Sequence, residues 1–269
     1  MFNNTMKTEA IPERVFALCQ QLLSSDSLKE EELKTKFEPE CFSDKTSYFG
    51  IVRDAAIQLG LIINIPDDNT FKLNVDKKEM KSYETMRLYI NRNISKLASG
   101  QFYRTTKVSM VNSYDLFNID KDYQNVSKMP SILNKMDENL NLDEGCMRAW
   151  RFWATFLGFG YLHDMFFMPN ASNFIYDCIR NSNISKNKEY PIYDFIQHLS
   201  PSIDICISER EKNERKLNFA VSNAFRALHD IGVIKLKYTN DRQDEWNMTE
   251  MPMHEFTSLI TDVIYIGEK

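Results

Sequence analysis

Three times in this chain a mostly apolar helical segment runs into glycine and continues as a β-branched or aromatic stretch. The copies are Ile57-Gln58-Leu59-Gly60-Leu61-Ile62-Ile63, Phe156-Leu157-Gly158-Phe159-Gly160-Tyr161 and Leu228-His229-Asp230-Ile231-Gly232-Val233-Ile234. Glycine takes the left-handed conformation that closes a helix at the least steric cost. The chain beyond it must fold back as a strand beside its own helix. That is the third helix and first wing strand of a winged-helix module. The expected fold class is therefore mainly α with small β hairpins, a tandem array of two clear winged-helix modules and one degenerate copy. Such modules hold DNA or other proteins more often than they do chemistry.

The first module, residues 1–76, reads in full. Apolar positions from Val15 to Leu23 make a helical stripe entered through Pro12. Ser27 with Glu30 has capping-box spacing for a second helix to about Phe37, and Ser43 or Asp44 starts a third that runs to Leu59. Leu61 to Ile65, the turn Pro66-Asp67-Asp68-Asn69 and Thr70 to Val75 then form the wing.

Residues 77–190 hold a helical linker and the degenerate module. Lys77 to Leu97 reads as one long amphipathic helix, Ala98 to Gln101 as a break, and Thr105 to Met136 as polar chain with short helices at 113–117 and 130–136. Asp143-Glu144 opens a helix that ends at Gly158, a hairpin follows over Gly160 to Phe167, and Ala171 to Arg180 returns to helix. The third module, 191–269, has a helix at 192–199, a charged stretch at 208–216 and a third helix over Leu217 to Leu228. Its wing pairs Val233–Tyr238 with Trp246–Met248, and a β-rich tail from Phe256 to Ile266 packs back on the body.

Composition narrows the class. At 269 residues with 43% hydrophobic content the chain can build real cores in two or three small domains. No apolar run is long enough to span a bilayer, and the start lacks a signal-peptide layout, so an intracellular, cytoplasmic protein is expected. The five cysteines, Cys19, Cys41, Cys146, Cys178 and Cys206, form no C-x-x-C pair and read as structural thiols, not as metal ligands or disulfides. Net charge is −5, short of the basic surplus common in dedicated DNA-binding domains. Either a local basic face contacts phosphate, or the modules mainly bind protein.

No catalytic constellation stands out. His163, His198, His229 and His254 share no metal-binding spacing, no P-loop or serine elbow occurs, and Glu30-Glu31-Glu32 lie in a solvated helix. The expectation is a non-enzyme with no catalytic residue, metal, cofactor, membrane contact or small-molecule substrate. Polar residues of the last third helix are the candidate DNA contacts: Arg215, Lys216, Asn218, Ser222, Asn223 and Arg226. Asn218, Ser222 and Arg226 fall at i, i+4 and i+8, and Asn and Arg read base edges well. An ordinary solvated face near Glu211 and Glu214 is the competing reading. The first module is a weaker DNA candidate because Asp54, Asp67 and Asp68 would repel phosphate. In the aromatic cluster of the middle module, most rings read as core, while Trp150, Trp153, Phe166 and Phe167 are candidates for a partner-binding surface.

The stretches Trp150-Arg-Phe-Trp-Ala-Thr-Phe-Leu-Gly-Phe-Gly-Tyr161, Leu199-Ser-Pro-Ser-Ile203 and Ala224-Phe-Arg-Ala-Leu-His-Asp-Ile-Gly-Val-Ile234 resemble the DpdG-type proteins, mainly over 146–248. Those are accessory components of bacterial gene clusters for DNA modification and antiviral defence. The resemblance implies a setting and carries over no functional residue. The resulting expectation is a non-catalytic subunit of a bacterial antiviral defence complex that bridges double-stranded DNA and a larger ATPase, SMC-like by analogy of fold and charge, or a nuclease. A free-standing transcription regulator is the alternative, and a toxin-like effector with an unrecognised active site is a third.

Overall fold

Pro12 sets the start of α1 (Pro12–Gln21), since the N–H it lacks would have no intrahelical acceptor there. Val15, Leu18 and Cys19 give that helix its buried stripe. The computed structural model describes residues 2–3, 5–39, 47–118, 128–163, 166–240 and 244–267, with Asp67 described by its backbone alone. After α1 come β1 (Leu28–Lys29), α2 (Glu30–Phe37), α3 (Phe49–Gln58), β2 (Ile62–Ile65) and β3 (Thr70–Leu73). The three strands form an antiparallel sheet in the order β1-β3-β2. The expected start of α3 at Ser43 or Asp44 lies outside the described residues. The expected capping box of Ser27 and Glu30 does not form, because Leu28 and Lys29 pair with Phe71 and Thr70 instead. Burying Leu28 is worth about 1.5–3 kcal/mol, which exceeds the roughly 1 kcal/mol of a side-chain cap.

The long helix expected over Lys77 to Leu97 is broken in two places. A 3-10 turn at Lys77–Met80 precedes α4 (Tyr83–Arg92), and a second at Ile94–Leu97 follows it. Ser82 and Thr85 exchange capping-box hydrogen bonds of 3.0 and 3.1 Å, which restart the helix after the first turn. Next is α5 (Gln101–Val111), a helix that the polar composition concealed, since Gln101, Thr105, Thr106 and Ser109 are all buried. Thr106 donates to the Phe102 carbonyl and accepts from Trp150 Nε1 at 2.9 Å, so its hydroxyl is satisfied inside the core. Short helices α6 (Ser113–Asn118) and α7 (Met129–Met136) lead to α8 (Glu144–Phe156), capped by Asp143, and then to the hairpin β4 (Gly160–His163) and β5 (Phe166–Pro169).

Beyond it lie α9 (Ser172–Arg180), β6 (Glu189–Pro191), α10 (Ile192–Leu199), α11 (Glu209–Glu214), α12 (Phe219–Asp230), β7 (Ile234–Lys237), β8 (Trp246–Asn247), β9 (Leu259–Ile260) and β10 (Asp262–Tyr265). The sheet order is β6-β10-β7, antiparallel throughout. With α9, β6, α10, α12, β7 and β10 matched to α1, β1, α2, α3, β2 and β3, the last unit repeats the first, with the third strand central in both. The repeat begins at α9, ahead of the break expected at 191, which falls in β6. The wing partner also differs from expectation: β7 pairs with β10, while Trp246 and Asn247 pair with Ile260 and Leu259. The apolar tail supplies the central strand because Val263 and Tyr265 can be buried there.

The three glycine junctions share one geometry. Gly60, Gly158 and Gly232 have φ of 70°, 86° and 76°. In each, the residue after glycine bonds back to the third-last helical carbonyl: Leu61 to Ala56 and Phe159 to Ala154 at 2.9 Å, Val233 to Leu228 at 3.0 Å. The glycine N–H bonds to Ile57, Thr155 or His229. These paired bonds satisfy orphan carbonyls, and the apolar residue after glycine packs back on its helix.

Three contacts join the units. Trp153 is fully buried between Phe2 and Phe156 and donates to the Ala10 carbonyl at 2.6 Å. Phe2 also stacks edge-on to Phe102, and Gly100 lies so close to its carbonyl that a Cβ would clash at 2.3 Å. Asp177 on α9, wholly buried, takes both Arg87 Nε and Nη2 at 2.7 and 3.1 Å, and Asn91 Nδ2 at 2.8 Å. That Asn91 amide also donates to the Leu157 carbonyl at the end of α8.

Three substitutions test these contacts. Gly60→Ala meets only the Tyr89 hydroxyl at an ordinary 3.7 Å and adds left-handed strain of about 1–2 kcal/mol, a fall in Tm of several degrees. Gly158→Ala adds contacts of 2.6 Å to Phe174 N and 2.7 Å to Asn173 Cβ, so denaturant titration will show the larger loss. Asp177→Ala strands a half-buried guanidinium and will cost about 3–5 kcal/mol in the same assay, with Arg87→Met added back recovering part of it.

Candidate nucleic-acid and partner interfaces

A base-reading helix needs its polar stripe in solvent, and α12 does not have one. Asn218 is its N-cap, accepting from Val221 N at 3.1 Å, with Nδ2 given to the Cys206 carbonyl and to Glu211. Ser222 is fully buried, donates to Leu217 O and accepts from Thr249 N. Arg226 is 2% exposed, and its Nε and Nη2 donate to the carbonyls of Phe256, Thr249 and Thr257 at 2.7–2.9 Å. Segment 248–258 thus lies across the face expected to read DNA, and Asn218, Ser222 and Arg226 are corrected from candidate base contacts to anchors of that segment. The reason is that α12 is a core element, packed on α9, α5, α6 and β7, so its polar side chains face protein.

The other three candidates are dispersed. Arg215 closes α11 with φ of 52° and stands 3.4 Å from Asp244; Lys216 is exposed beside it. Asn223 is half-buried and faces the β4–β5 hairpin across a groove. No common surface unites the six.

The proposed partner surface is corrected in part. Trp150 and Trp153 are fully buried, each with its indole N–H satisfied, so neither can dock a partner. Phe166 and Phe167 are half-buried on β5, and Phe167 meets the Trp150 ring edge-on at 4.6 Å. The aromatic cluster is mostly core because its rings close the space between α5, α8 and the hairpin.

What residue spacing offered and the sequence reading passed over is the outer stripe of α8. Arg148, Arg151 and Phe152 stand at i, i+3 and i+4, opposite Met147, Trp150 and Ala154. Arg148 is exposed and pairs with Glu144 one turn earlier; Arg151 lies 5.6 Å over the Phe152 ring. Burial and the nearby Arg148 charge pull the Arg151 guanidinium below its ordinary value. The corresponding helix of the first unit, α3, carries Asp54 outward with Ile57, and Ile63 is exposed on the adjoining β2. One stripe is cationic and the other apolar to acidic.

Among the described residues no group of three His, Cys, Asp or Glu could hold a metal, and no helix is long and apolar enough to cross a membrane. Cys19, Cys146, Cys178 and Cys206 are buried free thiols, and Cys41 lies outside the described residues. Compared with protein-family models, with curated proteins and with solved structures, the chain matches none.

Burial pushes the Cys19 thiol up to about 12 and raises Cys178 and Cys206 well above the ordinary range. A thiolate-directed reagent at pH 8 will therefore leave these three unlabelled in the native protein and label them on unfolding, as peptide mapping by mass spectrometry would record.

Proposed function

We propose that the chain is a non-catalytic tandem winged-helix subunit that holds duplex DNA against a larger ATPase or nuclease of a bacterial antiviral defence complex. The observation that carries the modular part is the repeated order of helix, strand, two helices and an antiparallel strand pair, with the last strand central in both sheets and with α11, β8 and β9 inserted in the last unit. The middle helix-and-hairpin, α8 with β4 and β5, is the degenerate third copy. Fold alone names no ligand, so the division of labour rests on side chains. Arg148, Arg151 and Phe152 support α8 as the DNA contact in this reading, guanidinium groups meeting phosphates and the ring covering sugar or base edges. The exposed Ile57 and Ile63 support the first unit as the face for the protein partner, and its Asp54 disfavours phosphate. The defence setting and the ATPase or nuclease rest on the sequence resemblance alone.

Binding of a fluorescent duplex, followed by anisotropy across a salt series, tests the DNA half. The expected result is affinity that falls with salt, and a slope reduced by roughly 1–2 in Arg148→Glu with Arg151→Glu, each lost phosphate contact removing about 0.9. Lys216→Glu should leave the curve unchanged. Absence of duplex binding at low salt, or a double variant that binds like the parent, would remove DNA from the proposal.

A further inference from the structure

A groove of about 340 Å³ separates α12 from the β4–β5 hairpin, and segment 248–258 supplies its remaining wall. Arg226 lines it. A guanidinium cannot shed its charge, so burying one without a carboxylate is costly. Here three carbonyls engage Nε and Nη2, while Nη1 is buried with no hydrogen-bond partner and no acid bonds to the group among the described residues. Burial alone pulls the Arg226 guanidinium below its ordinary value. One turn earlier on the same face, Asn223 Oδ1 is likewise buried and unpartnered. Two orphaned polar groups, one cationic, therefore border the same groove, whose other side is formed by Tyr161, Met168 and Met251. Its acid, Asp230, is exposed and accepts from His254 at 3.1 Å. A groove of mostly apolar wall with a few convergent polar groups is the usual form of a small-ligand site.

We propose that this groove binds a small oxyanion, a phosphate or carboxylate group that pairs with Arg226 and is held by the Asn223 amide, its organic body lying against Tyr161 and Met251. The Asn223 amide can rotate to donate, since its oxygen and nitrogen have the same shape. Because Nη1 is enclosed, segment 248–258 shifts outward as the ligand enters. This inference goes beyond the adaptor reading and does not depend on it.

The test is a thermal shift with inorganic phosphate and with acetate, against chloride at equal ionic strength, on the full chain. Wild type is expected to gain Tm in a saturable way with at least one of the two anions. Phosphate alone acting assigns a phosphoester ligand; acetate alone acting assigns a carboxylate. Asn223→Asp places a carboxylate beside Arg226, so it should raise Tm in chloride and abolish the anion response. Asn223→Leu, which removes the amide without adding charge, should weaken the response at least tenfold in half-saturating concentration. Indifference of wild type to both anions would overturn the proposal, as would a response unchanged in both variants.

Discussion

The left-handed glycine at the end of a helix is the constraint from which the architecture grows. At Gly60, Gly158 and Gly232 the chain reverses within two residues, and the paired hydrogen bonds make that reversal a rigid corner. The strand that follows has little choice of position: it lies beside its own helix, and a hairpin covers what remains of that helix's apolar face. Leu61, Phe159 and Val233, all buried immediately after the glycine, fix the corner from the apolar side. A side chain in place of glycine would meet strain at each corner, and at Gly158 also the backbone of α9.

Once α12 is committed to such a corner in the last unit, its surroundings decide its chemistry. Helices α9, α5 and α6 occupy three sides, and the insertion between β7 and β10 folds over the fourth. Polar residues that resemble a recognition stripe in the sequence become the pegs of that insertion. The outer stripe of α8 escapes this fate in part, since Trp150 and Trp153 turn the opposite side inward and leave Arg148 exposed and Arg151 half-buried. Burial and not residue type separates the two helices.

Much of this was legible beforehand, for reasons visible in particular residues. Glycine after an apolar helix and an asparagine at the β2–β3 turn, Asn69 with φ of 46°, have backbone requirements that few other residues meet. The hairpins at 62–73 and 160–169 and the helix stop at 232 followed from such local rules. What was hidden depended on distant partners. Leu28 becomes a strand because Phe71 is there to pair with it. The polar helix α5 is buried because the Trp150 indole donates to its Thr106 and the Leu140 carbonyl accepts from its Gln101. Strand β10 takes the centre of a sheet from 25 residues beyond β7, a pairing that alternation in Trp246–Met248 imitates. The candidate site was misread for the same reason: periodicity shows which residues share a face, and only packing shows whether that face is open.

Amide hydrogen exchange at Leu61, Phe159 and Val233 bears on the central claim most directly. These N–H groups donate to Ala56, Ala154 and Leu228 only if the chain doubles back at each glycine. The account predicts protection at all three comparable to the interiors of α3, α8 and α12, lost only when the surrounding unit opens. Exchange at the rate of an exposed loop in the native protein would contradict it.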